Sequence, residues 1–195
     1  MQTSATKVTR AVWMALAAAA VLAAPARAQQ GLAVEVRGGM AAGSYAGAAS
    51  DFEVAPQPSF GAGVSYCVTD RLGVYAGFER SAFGCDTGFC AERGMVFTSQ
   101  GVDAGVELRL PLSAGPWIRA GLVRHTLRFS TDPEEGDGIE GEETSGVGVS
   151  AGAGVEVRLG RRLSLTPGLR YVRYGTAGED GVAVLIADVG LEIRM

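Results

Sequence analysis

Apolar and polar residues alternate along most of the chain with a period of two, which is typical of β-strands and unlike the longer period of a helix. In the segment 71–82, Val74 and Phe78 share one face of the predicted strand, whereas Tyr75 and Glu79 share the other. The same alternation predicts eight strands, at about 32–43, 57–69, 71–82, 95–110, 117–129, 146–160, 162–174 and 182–195.

The predicted connections alternate between short and long, and this alternation indicates how the strands close. The short connections lie at about 69–71, 111–116 and 160–161, and the long ones at about 44–56, 83–94, 130–145 and 175–181. Closure removes the unpaired sheet edges, and tight turns at one rim with long loops at the other are typical of membrane barrels. We therefore predict an all-β fold, an eight-stranded antiparallel up-and-down transmembrane β-barrel, with both termini at the short-turn rim. A phase change near Leu185 predicts a β-bulge in the last strand.

The polar face of the predicted strands combines charge with glycine, which identifies it as the lumen. Its charged members are Glu35, Arg37, Arg71, Glu79, Asp103, Glu107, Arg109, Arg119, Glu156, Arg158, Arg170, Asp188, Glu192 and Arg194. Long charged side chains fit a narrow lumen only when small residues lie between them, and buried charges need partners of opposite sign. We interpret these seven acids and seven arginines as a lumenal charge network.

The apolar face then points at lipid, and its aromatic residues Tyr66, Phe78 and Tyr171 are predicted to contribute to an interfacial girdle. Packing of these rings against lipid without a girdle would give the same pattern. A soluble barrel, with the apolar face turned inward, is the alternative for the fold as a whole.

The first 28 residues carry the pattern of a secretory signal peptide. Lys7 and Arg10 precede an apolar run over 11–24, and the small residues Ala26 and Ala28 end the segment. The run is too short to span a bilayer as a helix, which disfavours the alternative of a membrane anchor. We therefore predict a signal peptide at 1–28 and an outer-membrane β-barrel domain at 29–195.

Charge narrows the classes of partner. The whole chain has 17 basic and 21 acidic side chains and a formal net charge of -4. Because Lys7, Arg10 and Arg27 lie in the predicted signal peptide, the barrel domain has 14 basic and 21 acidic side chains, a net charge of -7. An acidic protein is a poor ligand for nucleic acid, so we expect no nucleic-acid partner. The glycine-rich strings lie within strands and open no helix, and we expect no cofactor.

The arrangement as a whole resembles a known family. A signal peptide, eight strands, alternating long and short connections and a final strand that ends the chain as GVAVLIADVGLEIRM are similar to those of the small outer-membrane β-barrel proteins related to the OmpA transmembrane domain, OmpX and the opacity-type proteins. The resemblance implies a monomer in the bacterial outer membrane, in contact with outer-membrane lipid and lipopolysaccharide and assembled by the outer-membrane assembly machinery. The chain departs from the family in ending at Met195, where its members usually end in an aromatic residue.

Two of the three cysteines flank a short segment in one of the long connections. Cys85 and Cys90 are separated by four residues in a chain predicted to be exported, which favours a disulfide. Two free thiols or a metal pair are the alternatives, although no histidine accompanies them. The third cysteine, Cys67, has the parity of a lumenal residue, and we expect it to be a free buried thiol.

The single histidine and an acidic segment are the remaining candidates for chemistry. Parity places His125 inward on the fifth strand, and we assign it to a lumenal hydrogen-bond network rather than to catalysis. The acidic segment contains Asp132, Glu134, Glu135, Asp137, Glu140, Glu142 and Glu143. A solvated, self-repelling loop is one interpretation, and a divalent-ion loop that bridges to lipopolysaccharide phosphates is the other. We assign no metal site.

Three functions compete for such a barrel. The first is a structural scaffold or surface-interaction protein, with an extracellular or envelope partner that binds its loops. The second is a narrow pore, and the third is a lipid-modifying barrel enzyme. Eight strands enclose a space that side chains fill, and no convincing catalytic triad is present. We therefore expect a non-enzymatic scaffold or surface-interaction barrel.

Overall fold

The computed structural model describes residues 31–45, 54–85, 96–111, 115–130, 144–175 and 181–195. These residues form β1 (Leu32–Tyr45), β2 (Val54–Cys67), β3 (Leu72–Cys85), β4 (Val96–Arg109), β5 (Pro116–Ser130), β6 (Thr144–Val155), β7 (Val157–Arg158), β8 (Leu163–Gly175) and β9 (Gly181–Arg194). β6 and β7 are one strand interrupted at Glu156, whose N–H donates to the carbonyl of Gly115 at 2.9 Å. No helix in the described part of the chain is long and apolar enough to cross a membrane.

The strands close into a barrel. Each strand pairs antiparallel with the next along the chain, except that β6 and β7 lie end to end, and β1 pairs with β9, so that Val34 faces Val64 on one side and Ile193 on the other. β8 pairs with both β6 and β7, which makes the interrupted strand a single wall of the barrel. The predicted eight-stranded antiparallel up-and-down barrel is therefore confirmed.

The strands are tilted because the hydrogen-bonded register does not close on itself. A path of paired residues leaves β1 at Glu35 and returns to β1 at Tyr45, ten residues along; it runs through Gly63, Gly77, Asp103, Val123, Gly148, Tyr174 and Val182. A shear of this size in eight strands corresponds to a tilt of roughly 35–45° from the barrel axis. Each step from one strand to the next therefore rises by about 1.25 residues toward the long-connection rim.

The apolar residues lie on the outside of the barrel. Val36, Val102 and Leu122 are 53, 55 and 51% exposed, although each lies in the middle of a strand. Their inward neighbours in sequence are buried, among them Glu35 and Asp103. The orientation inferred from glycine and charge is confirmed, and the alternative with an apolar interior throughout is wrong.

Glycine makes room in the lumen for large side chains. The indole ring of Trp117 on β5 covers Gly154 on β6 and Gly168 on β8. A Cβ atom at Gly154 would lie 2.5 Å from a ring carbon of Trp117, and one at Gly168 would lie 2.7 Å away. A side chain at either position would displace the ring, so glycine is required there by space.

The bulge predicted near Leu185 is wrong. β9 keeps an unbroken register with β1 and with β8 across this position. The phase changes because Val182, Val184 and Ile186 point into the lumen, where each is at most 1% exposed, while Leu185 points outward. The register shift that the structure does show lies in β2, between Pro56 and Ser59.

Candidate functional site in the barrel lumen

A cluster of charges fills the lumen near the short-turn rim. Arg119 on β5 donates from Nη1 to Glu35 at 2.8 Å and from Nε to Glu107 at 2.5 Å. Glu35 also accepts from Arg37 at 3.3 Å and from the Thr166 hydroxyl at 2.6 Å. Strands from opposite sides of the barrel are therefore tied together by one carboxylate.

The guanidinium of Arg119 lies close to two aromatic rings. Its central carbon lies 4.8 Å from the Trp117 ring centre and 5.4 Å from that of Tyr75. The Tyr75 hydroxyl in turn lies 3.3 Å from the hydroxyl of Ser150 on β6. Cation–π contacts gain strength when water is excluded, and Arg119 is 4% exposed.

A second set of ion pairs closes the lumen at the rim itself. Arg109 contacts Glu107 at 2.5 Å, Glu192 at 3.2 Å and Glu156 at 3.3 Å. Arg194 contacts the same Glu156 at 2.6 Å and Glu192 at 2.8 Å. Each arginine therefore bridges carboxylates of different strands, and Glu107 joins this set to Arg119.

A separate group lies at mid-barrel. Arg170 on β8 pairs with Glu79 on β3 and, at 2.7 Å, with Asp188 on β9. The hydroxyl of Ser81 donates to Glu79 at 3.0 Å and lies 3.0 Å from that of Ser59. Since Arg170 spans the lumen from β8 to β3, it obstructs the central path through the barrel.

Two charged groups near this level have polar atoms without a partner among the described residues. They are Nε and Nη2 of Arg37 and Oδ1 of Asp103. Both side chains face Gly77, where a Cβ atom would lie 3.4 Å from Arg37 Nη2 and 2.9 Å from Asp103 Oδ1. The absence of a side chain at Gly77 is therefore what leaves space between the two charges.

The structure places twelve of the fourteen predicted network residues in the lumen and two outside it. Arg71 is exposed because β3 begins only at Leu72, and Arg71 lies in a turn where Thr69 Oγ1 accepts from its N–H at 3.2 Å. Arg158 has a side chain that is 72% exposed, although its Nε reaches Glu156 from the rim at 3.0 Å. The expected balance of seven acids and seven arginines is therefore wrong, since seven acids and five arginines point inward.

Apolar residues cluster in the half of the lumen toward the long connections. A cluster of buried residues, here called the lumenal plug, consists of Ala41, Phe83, Phe97, Val123, Leu127, Val172, Tyr174, Val182, Val184 and Ile186. The rings of Phe83 and Phe97 stack with centroids 5.5 Å apart. Phe97 and Val123 follow the alternation of their strands, but the plug also includes apolar residues at which a strand changes phase, such as Val184 and Ile186.

The single histidine lies among the residues of the lumenal plug, between Val123 and Leu127 on β5, in a hydrogen-bond chain. His125 Nδ1 lies 3.0 Å from the Ser99 hydroxyl, which accepts from the hydroxyl of Tyr174 at 2.9 Å. The rings of His125 and Tyr174 are 5.4 Å apart, and His125 is 2% exposed. The serine and histidine have the spacing of a nucleophile and its base, and both are buried inside the barrel. The sequence did not identify Ser99 and Tyr174 as neighbours of His125, since their contact with it depends on the register of β4, β5 and β8.

Of the remaining predicted site residues, some are described by the structure and others are not. Cys67 is a free, half-buried thiol at the short-turn end of β2. Cys85 ends β3, whereas Cys90 and the seven acids from Asp132 to Glu143 lie outside the described residues, so the disulfide and the divalent-ion loop stay predictions. Among the described residues, no group of three or more histidine, cysteine or acidic side chains is arranged to hold a metal ion.

Comparisons with known proteins agree with this architecture. The family model described as outer membrane protein beta-barrel domain matches residues 14–192. A search of curated protein sequences finds no match.

Three solved structures illustrate the similarity of fold. Neisserial surface protein A is 16% identical and aligns over 84% of this chain and 97% of its own, with a TM-score of 0.56. The attachment invasion locus protein of Yersinia pestis, in complex with a heparin analogue, is 13% identical over 85% and 100%, with a TM-score of 0.54. AlkL in lipid bilayers is 14% identical over 89% and 94%, with a TM-score of 0.56. At these identities the likeness shows the fold.

Proposed function

The chain belongs to the outer membrane protein beta-barrel domain family, and from this premise we propose that it is a closed, non-conducting surface-interaction barrel. It is a protein of the bacterial outer membrane. The observation that carries the proposal is that the lumen is closed at two levels. Ion pairs fill it near the short-turn rim, and the lumenal plug fills it toward the long connections.

The plug supports the absence of conduction. Its ten residues are between 0 and 8% exposed, and they come from β1, β3, β4, β5, β8 and β9. Hydrophobic constrictions exclude water, and an ion that passes one loses its hydration without gaining a partner. Below the plug, Arg170 and Arg119 cross the space that an ion would need.

A sealed lumen leaves the long connections as the surface for specific contacts. Opposite the rim with the termini, the connections 46–53, 86–95, 131–143 and 176–180 join the strand ends. In outer-membrane barrels the longer connections are extracellular and the short turns periplasmic. Two of the similar structures are named as a surface protein and an attachment protein, which supports a role at the cell surface.

The lipid-modifying enzyme is the weaker proposal. Its best candidates, Ser99 and His125, are 1 and 2% exposed and lie inside the barrel beneath Phe97 and Leu127. A lipid substrate reaches the outer wall, which the lumenal side chains do not face. We therefore assign the Ser99–His125 contact to the stability of the lumen.

Planar-bilayer recording tests the closure. We expect the wild-type protein to show no steady conductance, and the double variant Phe83→Ala, Phe97→Ala to show more frequent openings, because the two stacked rings belong to the plug. The matched control is Phe78→Ala, whose ring lies on the outer wall. A steady open state of the wild-type protein would make the narrow pore the better proposal.

Surface cross-linking tests the interaction role. Cells that display the protein are treated with a membrane-impermeant cross-linker, and the adducts are compared between loop variants. We expect replacement of 131–143 or 86–95 by a short Gly-Ser linker to remove adducts, while replacement of the short turn 111–115 leaves them unchanged. Identical adducts from all variants would contradict a role for the long connections.

A further inference from the structure

We propose that Arg80, Arg124 and Arg173 form a binding site on the outer wall of the barrel for the phosphate groups of outer-leaflet lipopolysaccharide. These three residues are here called the arginine collar. All three side chains are exposed, and all three point away from the lumen, since the residues on either side of each in sequence are buried and face inward.

The barrel geometry brings the three arginines to one height. Arg80 on β3 pairs with Gln100 on β4, which pairs with Thr126 on β5. Two strand steps raise Thr126 above Arg80 by about 2.5 residues, so Arg124, two positions below Thr126, lies within about one residue of the height of Arg80.

The same construction places the third arginine. Leu122 on β5 pairs with Val149 on β6, which pairs with Arg173 on β8. Two strand steps raise Arg173 above Leu122 by about 2.5 residues, and Arg124 lies two positions above Leu122. Arg124 and Arg173 therefore also differ in height by less than about one residue, with one strand between them.

This height is the upper edge of the apolar wall. On each of the three strands the outward residue two positions below the arginine is large, apolar and exposed: Phe78 at 43%, Leu122 at 51% and Tyr171 at 42%. The outward residues two positions above are Ala82, Thr126 and Gly175. The arginines are thus the first charged groups above the lipid-facing surface, on the side of the long connections.

Phosphate groups are the chemical partner that such a collar fits. The guanidinium fork binds phosphate through two parallel hydrogen bonds, and its apolar stem lies along an apolar wall while the charge reaches the headgroup layer. Arg124 and Arg173 form no ion pair with another described residue, and Arg80 lies 5.9 Å from the Phe60 ring. Asp70 is the sole exposed acid among the described residues, and it lies in a short turn at the opposite rim.

Charge and position together favour lipopolysaccharide over a soluble anion. The collar covers only the β3–β8 side of the barrel, since the outward residues at the same height on β9, β1 and β2 are uncharged, among them Leu185, Met40 and Pro58. Adjacent strands are about 4.8 Å apart, so the three arginines, each two strands from the next, span roughly 20 Å of wall. A lipid with more than one phosphate contacts such a row at several points, whereas a small anion contacts one arginine at a time.

Native mass spectrometry tests the site on the folded barrel. The detergent-solubilised protein is titrated with lipid A that carries its phosphates, with dephosphorylated lipid A and with phosphatidylglycerol. We expect phosphorylated lipid A to bind, and the triple variant Arg80→Gln, Arg124→Gln, Arg173→Gln to bind it about tenfold more weakly. The matched control is Arg71→Gln, Arg161→Gln, Arg162→Gln, which removes the same charge from the opposite rim and should change the affinity less than about twofold.

Several outcomes would overturn the site. Equal binding of dephosphorylated lipid A would show that the acyl chains, not the phosphates, are recognised, and equal binding of phosphatidylglycerol would show an unspecific anion surface. Equal losses of affinity in the triple variant and its control would show that net charge alone causes the effect. If neutralising the acids of 131–143 created binding of phosphorylated lipid A that the wild type lacks, the ligand of the arginine collar would be the chain's own acidic segment. The gel shift of the unheated barrel verifies folding, and the single variant Arg173→Gln gives the same test if the triple variant does not fold.

Discussion

Arg119 Nη1 donates to Glu35 Oε2 at 2.8 Å, although the two residues are 84 positions apart and their strands, β5 and β1, lie on opposite sides of the barrel. The contact therefore spans the lumen. It also joins Glu35 to the ion pairs at the short-turn rim, because the Nε of Arg119 donates to Glu107. A single side chain thus connects β1, β4 and β5.

Removal of Arg119 is expected to be costly. Arg119→Met leaves Glu35 and Glu107 buried with fewer partners, and breaking a buried ion pair costs about 3–5 kcal/mol. Urea unfolding in lipid vesicles measures the loss in the free energy of unfolding. The control is Arg158→Met, whose side chain is largely exposed and whose ion pair contributes about 0–1 kcal/mol. Equal losses in the two variants would contradict a buried network.

A charge on the outer wall tests the orientation of the strands. Val36→Arg places a guanidinium near the middle of the apolar wall, and a cost of about 2–4 kcal/mol is expected there. Gly160→Arg lies in an exposed short turn with open space around it, at a cost of about 0–1 kcal/mol. Folding yields in vesicles compare the two variants, and equal yields would argue that Val36 does not face lipid.

A side chain at Gly154 tests how tightly the lumen is filled. Gly154→Val forces Trp117 and the backbone of β8 to shift, and overpacking of this kind costs about 1–3 kcal/mol. The matched variant is Gly160→Val, where a Cβ atom meets nothing within 4 Å. We expect a lower midpoint of urea unfolding for the first variant only. An unchanged midpoint would indicate a looser lumen than the structure shows.

The predicted disulfide is tested by the state of the three thiols. We expect Cys85 and Cys90 to resist alkylation until the protein is reduced, and Cys67 to be alkylated once the barrel is unfolded, without reduction. Mass spectrometry of the non-reduced peptides identifies the pairs. Any link between Cys67 and a loop cysteine would contradict the disulfide, because Cys67 lies at the short-turn end of β2.

The sequence alone determined the class of fold and the two faces of the wall. Side chains of a strand alternate by geometry, so Val74 and Tyr75 must point to opposite sides wherever the strand lies. Glycine between charges then indicated which side is the narrow one. These inferences required only local geometry, which is why strand count, orientation and the inward position of His125 followed from the printed residues.

The ends of the strands were less accessible to sequence reasoning. Arg71 and Arg158 have the parity of lumenal residues, yet both lie at the rim, because the strands end within one residue of them. The parity of a residue indicates the face of the strand on which its side chain lies, but not its position along the barrel axis. It therefore could not distinguish an arginine inside the lumen from one at the rim. The side chains of Val182, Val184 and Ile186 point into the lumen, and the sequence predicts a bulge there only because apolar side chains are expected on the lipid side alone.

Only the tertiary structure decided which residues meet. The contacts of Arg119 with Glu35 and of Tyr174 with Ser99 cross the lumen, and the arginine collar joins residues of three strands. All of them depend on the ten-residue shear with which the barrel closes, from Glu35 to Tyr45. Shear is a property of how the first and last strands pair, and it sets the height of every residue relative to every other. No local pattern carries that information, because the closing pairs are the most distant in the chain.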